Sequence, residues 1–135
     1  MVPNKLTNVK VTATRNTGSY VGSMTVVSFR NADLTTIGAV AKASASTGAP
    51  SLNLTTTRPG SWVWGVGNDW DRAAARTVGA GQTKVDEYLP SVGDTFWVQR
   101  QTTPTAAAGT NVPINDTAPT NDRWNLAAIE ILPAP

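Results

Sequence analysis

The chain has 135 residues, only 15 per cent of them charged, with eleven Lys and Arg against nine Asp and Glu and neither cysteine nor histidine. That composition excludes disulfides, thiol chemistry, histidine acid–base catalysis and the usual zinc ligand sets. The formal charge of +2 is scattered along the chain, which argues against a nucleic-acid partner.

The length suits one domain with a single core. Twenty threonines, eleven glycines and nine prolines favour strands joined by turns over helices. No apolar run approaches the roughly 20 residues that cross a bilayer, so membrane insertion is not expected. Met1 to Lys5 lacks the apolar stretch of a signal peptide. Between a cytoplasmic chain and a piece of an exported protein, the second is the reading adopted.

Taken in order, residues 8–15 alternate strictly, with Val9, Val11 and Ala13 on one face and Lys10, Thr12 and Thr14 on the other, the pattern of a half-buried strand. After the turn Asn16-Thr17-Gly18-Ser19, residues 20–29 carry apolar side chains on both faces and predict a central strand. The alanine-rich stretch 37–45 reads as an irregular strand rather than a helix. Residues 51–57 alternate again, and the turn Arg58-Pro59-Gly60 predicts an antiparallel hairpin with residues 61–66.

Residues 72–81 predict a long loop with at most one helical turn. Short strands follow at 84–89 and 95–101, then a flexible loop at 102–110. Val112 and Ile114 flank Pro113, which predicts an edge strand. A loop over 115–123 precedes a last apolar strand at 124–132, and Pro133-Ala134-Pro135 reads as the start of a linker. The fold expected is all-β, an antiparallel β-sandwich of Ig-like or jelly-roll-like type with eight or nine strands, as a single domain over 1–132.

The stretch from Gly60 to Asp71 holds three of the five tryptophans. Trp62 and Trp64 lie two apart and share a face, as a stacking platform for sugar rings or as core; the usual burial of tryptophan favours core. Trp70 stands between Asp69 and Asp71 in a loop and is weighed as a sugar contact or as a cap on the core. Asp69, Asp71, Asp94, Asp116 and Asp122 fall in loops or at strand ends. Turn capping is preferred for them over a calcium site, since no EF-hand spacing is present. Several carboxylate pairs are possible for glycosidase chemistry and none is distinguished, so no catalytic residue, metal or cofactor is assigned. Glu130 interrupts an apolar strand. The sharper reading is the acid of a Lys-Asn amide involving Lys10 or Lys84; the preferred one is an exposed face, or pairing with Arg15 or Arg100.

The segments Gly65-Val66-Gly67-Asn68-Asp69-Trp70-Asp71, Gly93-Asp94-Thr95-Phe96-Trp97-Val98-Gln99 and Asn115 through Asn125 resemble uncharacterised bacterial secreted or surface β-sandwich repeat modules. The resemblance spans residues 6–131 and implies an extracellular or cell-surface location. It also implies that strands preceding residue 8 in such modules are lacking here, as in the C-terminal part of a larger sandwich.

The function expected is therefore a non-catalytic binding or adhesion module, with polysaccharide as the first ligand class. The contacts expected are Asn68, Asp69, Trp70, Asp71, Arg72, Arg123 and Trp124. The alternative is a structural, self-associating unit that exchanges strands with another protein chain, as in a filament or shell.

Overall fold

The computed structural model describes residues 7–135, and among them the fold is an antiparallel β-sandwich without helices. Eight strands are present: β1 (Val40–Ala45), β2 (Ser51–Thr55), β3 (Trp62–Asp69), β4 (Thr77–Val78), β5 (Gln82–Tyr88), β6 (Thr95–Gln101), β7 (Asn111–Ala118) and β8 (Trp124–Ile131). One sheet has five strands in the order β1-β8-β3-β6-β5, and the other has three in the order β2-β7-β4.

The alternation in each strand decides which side chains meet between the sheets. From the large sheet, Val63, Trp97, Trp124, Leu126 and Ala128 point inward; from the small one, Leu52, Leu54, Val112 and Ile114 do. The alanines of β1 pack against this core from the edge. On β3 the inward row is Val63, Gly65, Gly67 and Asp69, all buried. A Cβ on Gly65 would stand 2.6 Å from Ile114 Cγ2, so the small residues on β3 make room for large ones arriving from β6 and β7.

That row inverts the expectation for the paired tryptophans. Trp62 and Trp64 do share a face, but it is the outer face of the five-stranded sheet and not the core. Both are half-buried there, because Arg100 of β6 lays its guanidinium 4.8 Å from the Trp62 ring and 5.8 Å from the Trp64 ring.

The two stretches expected as N-terminal strands are unpaired. Tyr20 is 79 per cent exposed, and Val9, Val11, Val21, Met24, Val26, Val27 and Phe29 are exposed too, so residues 20–29 are not a central strand. Their local pattern suits a strand, but a strand needs a neighbour, and the ladder at this edge is taken by residues 33–39. Asp33 N donates to Leu132 O at 2.9 Å, and Gly38 N to Glu130 O at 3.1 Å.

The expected hairpin of residues 51–57 with 61–66 does not form. Its first arm, β2, joins β7 in the small sheet, and its second, β3, lies between β8 and β6 in the large one. Arg58-Pro59-Gly60 is thus a crossing between sheets, with Gly60 at φ +77°. Residues 72–81 contain no helical turn; they run extended into the short β4. β7 is the middle strand of its sheet, yet β4 reaches it only at Asp116 and Ala118, so Pro113 still has an unpaired flank for its missing N–H. Pro133 and Ala134, expected to open a linker, are tied down: Pro133 O accepts from Arg58 Nη1 at 2.8 Å, and Ala134 N donates to Asn31 O at 2.8 Å.

Candidate functional site

β3 ends at Asp69, the last residue of its inward row, which places a carboxylate in the sandwich interior at the start of the loop that leaves it. Arg76, where the loop enters β4, is buried as well and pairs with Asp69 through Nη2. Its Nη1 lies 3.4 Å from Oδ2 of buried Asp122, which precedes β8. The guanidinium also sits 4.6 Å from the centre of the Trp97 ring, so the cation is held by two carboxylates and an indole face.

Burial raises the pKa of Asp69, with Asp122 acting in the same direction; the Asp71 amide and the Arg76 charge oppose the rise. The Asp69 carboxylate accepts from Asp71 N at 2.7 Å. Thr95 on β6 accepts from Ala74 N at 3.0 Å and donates to Arg72 O at the same distance. The loop from Trp70 to Arg76 is fixed to the sandwich along its length by these bonds.

What this loop presents is Trp70, 46 per cent exposed, with the Arg123 guanidinium 5.5 Å from its ring. Arg72 reaches across to Asp122 and Asn121 and joins the loop preceding β8 to this one. On the adjoining outer face, Asn125 Nδ2 donates to Asn68 Oδ1 at 3.2 Å. Of the seven residues expected to contact a ligand, Asn68, Trp70, Asp71, Arg72 and Arg123 therefore share one end of the sandwich with solvent access. The other two do not reach the surface. Asp69 is consumed by Arg76, and Trp124 is a buried member of the core, because both occupy inward register positions.

The inward carboxylates are the part that sequence reasoning missed. Among the described residues no three acidic side chains converge as metal ligands, since Arg76 and Arg72 already occupy the space between Asp69 and Asp122. Asp116 on β7 is different: it is buried, and neither carboxylate oxygen has a hydrogen-bond partner. Burial pushes its pKa up to about 7, with the Arg76 charge acting the other way.

Glu130 is buried on the inward face of β8, not exposed, and no arginine pairs with it. It accepts from Ala39 N, Thr57 N and Thr57 Oγ1, each at 2.8 Å. Burial alone would raise its pKa, but Ser61 and these amide and hydroxyl donors outweigh burial and hold it below the usual carboxylate value. Lys84 donates instead to Arg76 O at 2.9 Å and Glu87 at 2.7 Å. The signal for the inward acids was in the register: the inward row of β6, Thr95-Trp97-Gln99-Gln101, is mostly polar and implies a polar interior opposite it.

Comparison of the chain with protein-family models, curated proteins and solved structures finds no match.

Proposed function

We propose that this chain is a non-catalytic binding module of a bacterial surface or secreted protein, and that it holds a polysaccharide against Trp70. The observation that carries the reading is an exposed indole on a loop fixed from beneath by the Asp69–Arg76–Asp122 pairs. An aromatic ring costs little conformational entropy to present when its loop is already ordered, and its face suits the C–H surface of a sugar. Asn68, Asp71, Arg72 and Arg123 stand around it as hydrogen-bond partners for hydroxyls. The resemblance to secreted β-sandwich repeat modules supports the location.

The test is a screen of immobilised polysaccharides with the wild-type chain and Trp70→Ala. The substitution should remove binding while far-UV circular dichroism stays unchanged, because the side chain is solvent-facing. Retention of every glycan interaction by Trp70→Ala would sink the proposal.

A further inference from the structure

The outer face of the five-stranded sheet is more apolar than a water-facing sheet requires. Val66 is 57 per cent and Val40 66 per cent exposed there. With Trp64, Phe96, Val98 and Ile129 they line a groove of about 920 Å³ bordered by Met24 and Thr25. A continuous apolar surface of this kind marks an interaction site.

Part of the face is already covered by the chain itself. The Thr25 hydroxyl donates to Asp86 at 2.6 Å, and the Phe29 ring meets Trp64 edge-on, with centroids 5.3 Å apart and planes at 89°. The chemistry that this face accepts is therefore that of residues 23–29. Upstream the chain carries more of the same: Val9, Val11, Tyr20 and Val21 are exposed and belong to no strand. Residues 7–31 contain Lys10, Arg15 and Arg30 and no acid, and Asp86 lines the β5 rim of the groove opposite Lys42 on β1.

We propose that the groove is the seat of the N-terminal segment of a second copy of this chain, so that two chains exchange residues 8–21 reciprocally. One chain by itself leaves both the groove and its complement in water. A two-fold exchange covers both with a single operation, and each copy gives what it receives. The Asp86 rim sets the side on which the basic segment lies. The inference is independent of the glycan reading, since Trp70 is not among the residues lining the groove.

The chain has no cysteine, so a substituted thiol is its sole thiol. Val11→Cys and Val66→Cys are prepared separately, mixed and treated with a short bifunctional thiol crosslinker. The expected product is a covalent heterodimer joining the two positions. Sedimentation equilibrium of the wild type should show a concentration-dependent dimer. Val11→Asp and Val66→Asp should each weaken it roughly tenfold or more with unchanged circular dichroism, as both side chains are exposed.

Three results overturn the proposal. One is a wild type that stays monomeric at all concentrations. Another is an absence of heterodimer from the mixed single variants while a Val11→Cys/Val66→Cys double variant crosslinks within one chain, which means that the segment folds back on its own sheet. The third is a dimer weakened by Val66→Asp but not by Val11→Asp, which means that the face binds something other than this segment.

Discussion

Gly67 on β3 lies directly across from Trp97 on β6, and the indole occupies the space in which a Cβ on residue 67 would stand. The tryptophan is fully buried and has no room to retreat. Gly67→Ala should therefore lower unfolding stability by about 1–3 kcal/mol through overpacking, measured by urea denaturation. A neutral result would mean that the indole has an alternative position.

Arg76 neutralises two carboxylates inside the sandwich, Asp69 and Asp122. Arg76→Met keeps much of the volume and removes the charge, leaving Asp69 buried without its cation and Asp122 held by Arg72 alone. The expected loss is about 3–5 kcal/mol, read from the same denaturation experiment.

Glu130 presents only acceptors to a ring of donors from Ala39 and Thr57. Glu130→Gln turns one oxygen into an NH2 that faces N–H groups, so it should destabilise by roughly 1–3 kcal/mol despite its near-identical shape. Because the folded-state pKa is lowered, the contribution of Glu130 is present above the ordinary value of 4.5 and is lost as pH falls through the folded value. The gap between wild type and variant should narrow in acid.

Asp116 titrates with the opposite sign. Its folded-state pKa of about 7 stands above the ordinary 3.8, so the folded chain binds a proton that the unfolded chain has released between those values. Stability from this group is fully present below pH 3.8 and is lost as pH rises through about 7. At 1.36 kcal/mol per pKa unit the upper limit of the loss is roughly 4 kcal/mol. Asp116→Asn should flatten the wild-type decline between pH 3.8 and about pH 7, and be the more stable protein above that range. Parallel pH profiles for the two would refute the assignment.

Much of the strand map was legible in the sequence. β6 lies at 95–101 as alternation predicted, and β1, β2, β3, β5, β7 and β8 overlap their predicted stretches. Such patterns are local, and they survive because one face of each strand packs on the core. Partnership is not local. Residues 8–15 and 20–29 have strand patterns but no ladder, and the apparent hairpin around Arg58 to Gly60 crosses between sheets. Which face is inside was misread on β3, because the indoles suggested core where two glycines supply it.

The candidate site divides along the same line. Trp70 with its polar neighbours could be found from composition, whereas the pairing of Asp69 with Arg76 depends on inward register that only the assembled sheets define.

The strand order also constrains how the chain can fold as it is made. β8, the last of the eight strands in chain order, lies inside the large sheet between β1 and β3, with Val40 opposite Ile129 and Trp62 opposite Ile131. β1 and β3 have no ladder joining them until that strand arrives, so the sheet cannot close progressively behind the ribosome. Closure of the sheet in this sense waits until β8 has been made and is governed by slow, long-range pairing. A premature stop before residue 124 would remove the interior strand that joins β1 to β3 rather than trim the sheet's margin.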